Sequence, residues 1–173
     1  RPKPANENKN SFPLLFFRQG EFVQVNIIVS PPVTLERSLF VSIKIDGMVR
    51  VAAATPHVKV ADCPYNKNEM AKMIREAAAN GASVIAFPEL AMTGYTCGDL
   101  FKDRKLMESA KTCLFDLIEE TEDLDILCAV GMPIPSGGAL YNCAAVFSRG
   151  VLLGLPAKQH IPNYSEFYEL RHF

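Results

Sequence analysis

The chain has 173 residues, of which 49% are hydrophobic, and this is enough for one domain with a sizeable core. The formal net charge of −1 at pH 7 provides no positive field for nucleic-acid phosphates, so no nucleic-acid partner is expected. No run reaches the roughly 18–20 uninterrupted apolar residues that a membrane span needs, so neither a membrane partner nor a signal peptide is expected.

The first 47 residues differ in character from the rest of the chain. Several prolines interrupt this segment, and its short apolar runs have no helical period. We interpret residues 1–47 as an N-terminal extension of doubtful nature and place the domain in residues 48–173. Because the extension lacks the organised pattern of the domain, we expect it to pack poorly against the domain.

From residue 49 onward the pattern alternates between strands and helices. Short apolar runs predict buried strands at 49–55, 83–87 and 125–132. Between them, apolar residues at helical spacing predict helices at 66–79 and 105–121. This order of elements is typical of an α/β domain.

The last predicted elements follow a turn-rich link at 133–138. Apolar runs at 140–148 and 151–155, joined across Arg149-Gly150, predict an antiparallel hairpin. A hairpin after strands that are separated by helices makes the predicted sheet mixed, with helices layered on it.

Two segments carry groups suited to chemistry. Glu89 directly follows an apolar strand and a proline, at the sheet edge where α/β ligand sites gather, although a surface loop would also begin with a polar residue. Residues 158–169 alternate polar and aromatic side chains after a strand. Lys158 there could bind a polar ligand or simply be solvated, and the aromatic residues could belong to the core.

Sequence motifs in both segments resemble a known enzyme family. Phe-Pro-Glu-Leu at 87–90, followed by Thr-Gly-Tyr at 93–95, resembles the first catalytic motif of the nitrilase superfamily of carbon-nitrogen hydrolases. Segments 49–56, 94–101 and 162–169 further resemble the glutaminase domains that are fused to NAD synthetases. The resemblance extends over the domain and leaves the N-terminal extension unmatched.

The resemblance implies a fold, a reaction and site residues. The fold would be a four-layer α-β-β-α sandwich, of which about half is present. Glu89 would be the general base that takes the proton from a cysteine thiol, and Lys158 would stabilise the oxyanion of the intermediate. We expect these two side chains to share one concave site. Tyr164 and Glu169 would lie on the substrate side, with Glu169 as a second carboxylate.

The cysteine nucleophile of this family follows the lysine motif, and every cysteine of this chain precedes Lys158. We therefore expect that the nucleophile is absent, that the chain is C-terminally truncated and that it is inactive alone. Cys97 is close to Glu89 in sequence, but its place in the matched motif indicates a structural residue. The odd number and wide spacing of the cysteines fit a reducing cytoplasm, and the remaining four are interpreted as buried small hydrophobes: Cys63, Cys113, Cys128 and Cys143.

No metal or cofactor is expected in this chain. His57, His160 and His172 are isolated from one another, and no phosphate-binding glycine loop is present. The resemblance implies glutamine as the substrate, a downstream synthetase domain that uses ATP and Mg²⁺ to make NAD from deamido-NAD, and assembly into homo-oligomers.

Two alternatives remain open. The chain could belong to a stand-alone nitrilase-family amidase that acts on another carbon-nitrogen bond. It could also be a non-catalytic α/β module that uses its exposed sheet and hairpin for self-association. A downstream ATP-binding loop would favour the synthetase, whereas a gene product with no cysteine after Lys158 would favour the module.

Overall fold

The computed structural model of the chain describes residues 11–18, 21–28 and 49–173. In this part of the chain one mixed sheet contains seven strands, which lie side by side in chain order. The strands are β1 (Ser11–Arg18), β2 (Glu21–Ile28), β3 (Val51–Ala53), β4 (Val84–Ala86), β5 (Leu127–Ser136), β6 (Ala139–Ser148) and β7 (Val151–Gly154). Strands β2 to β5 run parallel and the other neighbours are antiparallel. The predicted mixed sheet is confirmed.

Strands β1 and β2 form a hairpin to which the sequence analysis assigned no element. The two strands pair from Ser11 with Ile28 to Arg18 with Glu21, and β2 joins β3 where Ile27 pairs with Val51. The other residues of the predicted extension lie outside the described part of the chain. Its separation from the domain therefore stays a prediction.

Helix α1 (Cys63–Ala79) begins three residues earlier than predicted, because Asp62 caps it. The Asp62 carboxylate accepts a hydrogen bond from the Tyr65 N–H at 3.1 Å, which satisfies one of the unpaired donors of the first turn. Met70 and Ile74 are fully buried, as their helical spacing predicted. Gly81, with a φ of +75°, follows the helix end.

Helix α2 (Arg104–Glu120) matches its prediction closely, and Asp103 caps its N-terminus through the Lys105 N–H at 2.7 Å. Leu106, Leu114 and Leu117 are buried on its apolar face. The two helices and strands β4 to β6 enclose one hydrophobic core. No helix in the described part of the chain is both long and apolar enough to cross a bilayer.

Strand β5 continues through most of the stretch predicted as a link at 133–138, so that prediction was wrong for all but its last two residues. The carbonyl of Gly131 accepts a hydrogen bond from the Met92 N–H at 3.1 Å, on the side of β5 away from β6. Pro133 and Pro135 lie two and four residues after Gly131. Because backbone groups alternate sides along a strand, the nitrogens of both prolines face that same side. Since β4 has ended there, the ladder requires no N–H from either proline.

The predicted hairpin is confirmed, with β6 and β7 antiparallel on either side of Arg149-Gly150. Arg149 and Gly150 both have positive φ values, of +49° and +76°. The parallel strands β3 and β4 end at one edge of the sheet, where Ala53 and Ala86 are in register with Ala129 of the longer β5. The loops that leave this edge bring the candidate site residues together.

Candidate active site

Glu89 lies in the loop that follows β4, at the carboxyl edge of the parallel strands. Leu90 has a φ of +54°, a conformation that costs a leucine about 1–2 kcal/mol, so the surrounding structure must impose it. Its carbonyl accepts the Gly94 N–H at 2.8 Å, and the Met92 N–H is bound to Gly131 of β5. These hydrogen bonds hold the loop against the sheet and thereby fix the position of the Glu89 backbone.

Lys158 follows β7 and lies along β6. Its N–H donates to the carbonyl of Asn142 at 2.8 Å, next to a bridge between Cys143 and Ala157. Its ammonium Nζ lies 2.8 Å from Oε1 and 3.0 Å from Oε2 of Glu89, although 69 positions separate the two residues. The two side chains are thus in direct contact, while the predicted concave site and their catalytic roles stay predictions.

Glu169 completes a cluster of three charged groups. It begins a short 3-10 helix (Glu169–Arg171), and only 5% of it is exposed. Lys158 Nζ lies 3.1 Å and 2.9 Å from its two carboxylate oxygens, and the Tyr95 hydroxyl donates to Oε1 at 2.7 Å. One ammonium thus lies between two carboxylates.

Asn142 and Tyr95 also belong to this site, and the sequence analysis assigned a role to neither. The Asn142 side-chain amide donates to Glu89 Oε1 and, at 3.5 Å, to Glu169 Oε2. An asparagine inside an apolar strand run is the signal that could have identified it, because a buried amide must find hydrogen-bond partners. The Thr-Gly-Tyr motif at 93–95 contains Tyr95 but indicates no separate role for it.

The charged groups shift one another's protonation. Burial alone lowers the pKa of Lys158, but its hydrogen bonds to Glu89 and Glu169 outweigh burial and raise it. Burial alone raises the pKa of Glu169, whereas hydrogen bonds from Lys158 and Tyr95 bring it below its ordinary value. Partial burial and the neighbouring Glu169 raise the pKa of Tyr95, which keeps its hydroxyl as a donor. Lys158 and Glu169 therefore stay ionised at neutral pH.

The five cysteines are all buried and free, as was predicted for the four that were interpreted as buried small hydrophobes: Cys63, Cys113, Cys128 and Cys143. Burial raises the pKa of every one of these thiols, to about 11 for Cys63 and about 12 for Cys128. Cys97 Sγ lies 3.1 Å from the carbonyl oxygen of Thr93 and 3.3 Å from that of Gly94. Because a nucleophilic cysteine needs a lowered pKa, none of the five has the environment of an activated thiol.

Tyr164, the remaining predicted site residue, is not drawn into the charged cluster. Its side chain is exposed, and its ring makes an edge contact with Phe167 at 5.6 Å between centroids. Its backbone carbonyl accepts the Phe167 N–H at 3.0 Å. A role for Tyr164 on the substrate side stays a prediction.

A family model described as carbon-nitrogen hydrolase matches residues 50–172. The glutamine-dependent NAD(+) synthetase of Mycobacterium tuberculosis is 38% identical over 125 residues, which are 72% of this chain and 18% of that protein. The enzyme of the same name from Aquifex aeolicus is 35% identical over 126 residues, or 73% of this chain and 22% of that protein. The chain thus matches about a fifth of the length of these relatives.

Solved structures show the same relationship. The crystal structure of a glutamine-dependent NAD(+) synthetase from Cytophaga hutchinsonii superposes with a TM-score of 0.68 at 30% identity, covering 72% of this chain and 21% of that one. An amidase from Nesterenkonia sp. gives a TM-score of 0.56 at 19% identity, over 68% of this chain and 44% of that one. At that identity the second likeness shows the fold alone, which is the nitrilase fold.

Proposed function

The chain belongs to the carbon-nitrogen hydrolase family, and from that premise we propose that it forms part of a domain that hydrolyses glutamine to glutamate and ammonia. The relatives named above support glutamine as the substrate. In the full-length protein, the ammonia passes to a synthetase domain that uses ATP and Mg²⁺ to convert deamido-NAD to NAD. The observation that carries the proposal is the placement of the Lys158 ammonium between Glu89 and Glu169.

In this reaction Glu89 acts as the general base. It accepts the proton of a cysteine thiol while the sulfur attacks the side-chain amide carbon of glutamine. The thiol belongs to a cysteine other than the five of this chain, all of which are buried with raised pKa values. The proton then passes to the leaving nitrogen, ammonia departs, and water hydrolyses the remaining thioester to glutamate.

Lys158 supplies the positive charge for the oxyanion. When the amide carbon becomes tetrahedral, its oxygen gains negative charge, and a fixed ammonium stabilises that charge more strongly than it stabilises the neutral substrate. Protonation of Glu89 removes one of the two counter-charges of Lys158. Glu169 remains ionised and keeps the lysine protonated throughout the step. The exposed ring of Tyr164 is left free to contact the substrate.

Glutamine hydrolysis by the full-length protein tests this proposal. Glu89→Gln keeps the shape of the site without the base and should lower turnover about 10²–10⁴-fold. Lys158→Ala should lower turnover roughly 10²–10³-fold. Glu120→Gln and Lys67→Ala are matched controls, because these residues form an ion pair elsewhere, at 2.8 Å. Both controls should keep wild-type turnover.

Other outcomes separate the alternatives. Hydrolysis of other amides in preference to glutamine would indicate a stand-alone amidase. No hydrolysis of any amide, together with concentration-dependent self-association, would indicate a non-catalytic module. Unchanged glutamine turnover in Glu89→Gln would refute the role of the base.

A further inference from the structure

Asn142 contacts both members of the Glu89–Lys158 pair, through different atoms. Its backbone carbonyl accepts the Lys158 N–H at 2.8 Å. Its side-chain amide donates to Glu89 Oε1 and, at 3.5 Å, to Glu169 Oε2. A single residue in the middle of β6 is therefore bonded to all three charged residues of the site.

We propose that Asn142 is a positioning residue that aligns the Glu89 carboxylate with the Lys158 ammonium. The proposal rests on the proposed function. The residue suits this role because it is rigidly held: only 4% of it is exposed, and it pairs with Pro133 on the neighbouring strand. Its two amide protons each have a carboxylate acceptor, so rotation of the side chain would leave both unsatisfied in a buried place.

The alignment distinguishes the two oxygens of Glu89. Among the residues that the structure describes, Oε1 accepts from both Asn142 and Lys158, whereas Oε2 accepts from Lys158 alone. Oε2 therefore has the free lone pair and is the oxygen that receives the thiol proton. Because an asparagine amide does not titrate, this arrangement persists when Glu89 changes its protonation state.

Kinetics of Asn142→Leu in the full-length protein provide the first test. Leucine is similar in size and keeps the backbone carbonyl that binds Lys158, but it has no donor for Glu89. A lost hydrogen bond to a charged group should lower kcat about 10–100-fold, with a smaller change in KM.

Two further variants complete the kinetic test. Asn142→Asp replaces the amide donor by a third carboxylate beside Glu89 and Glu169, so its kcat should fall at least as far as that of Asn142→Leu. Ser148→Ala is the control, since its hydroxyl donates to the Ile126 carbonyl at 3.0 Å at the end of the same strand. A folded Asn142→Leu protein with the kcat and KM of Ser148→Ala would overturn the proposal.

Nuclear magnetic resonance on the 173-residue chain supplies a test that needs no activity. The side-chain amide protons of Asn142 should shift in Glu89→Gln, which weakens their acceptor, and should not shift in Glu120→Gln. Resonances that are the same in both variants would overturn the proposal whatever the kinetics show. If the wild-type protein does not hydrolyse glutamine, the proposed function fails and this measurement alone decides the role of Asn142.

Discussion

Replacing Gly131 by alanine tests how closely β5 must approach the loop that carries Glu89. A Cβ atom at position 131 would lie 2.3 Å from the Pro88 carbonyl oxygen, 2.5 Å from the Leu90 nitrogen and 2.8 Å from the Glu89 carbonyl carbon. All three are backbone atoms, so no side-chain rotation can relieve the overlap. The loop must move by about 1 Å to reach ordinary van der Waals contact.

This movement should affect both stability and activity. Overpacking of this kind costs about 1–3 kcal/mol, which for a chain of this length lowers Tm by roughly 2–12 °C. A misplacement of about 1 Å at a reacting group can lower the rate about 10²-fold. Because Glu89 lies between the displaced atoms of Pro88 and Leu90, we expect glutamine hydrolysis by the full-length protein to fall by about that factor.

Thermal unfolding and glutamine turnover are the assays, and Gly154→Ala in β7 is the matched control. In the described part of the chain, a Cβ atom at position 154 meets only the Pro156 Cδ atom, at 4.0 Å, within the range of ordinary contacts. Alanine should fit there without loss of stability. If Gly131→Ala unfolds at the same temperature as Gly154→Ala and retains full turnover, the close approach of β5 does not position Glu89.

Three further predictions concern other parts of the chain. Cys97→Ser should leave turnover of the full-length protein near the wild-type value, because burial raises the pKa of this thiol and makes it a poor nucleophile. Loss of turnover in a folded Cys97→Ser variant would contradict the structural role of Cys97. Because the pKa of Glu169 is lowered in the folded chain, its ionised form stabilises the fold above about pH 4.3, and this contribution is lost as the pH falls through the folded pKa. Urea unfolding at neutral and acid pH should therefore show a smaller loss of stability on acidification for Glu169→Gln than for wild type, and equal losses would refute the linkage. Limited proteolysis should cut within residues 1–47 before it cuts within 49–173, and the reverse order would move the predicted domain boundary.

The sequence alone determined the features that depend on neighbouring residues. The helical spacing of Met70 and Ile74 predicted helix α1, because that spacing places apolar side chains on one face. The Arg149-Gly150 pair between two apolar runs predicted the β6–β7 hairpin for an equally local reason. The motif around Glu89 indicated the family, which the comparisons confirm.

Only the tertiary structure decided how distant segments meet at the site. No local pattern shows that Asn142 contacts Glu89, 53 positions earlier, or that Glu169 is buried beneath Lys158. The strand through Pro133 was likewise missed, because a proline is accepted in a sheet only where the neighbouring strand has ended. Such contacts depend on strand order and register, which arise when the whole sheet packs against its helices and brings residues far apart in sequence to one edge.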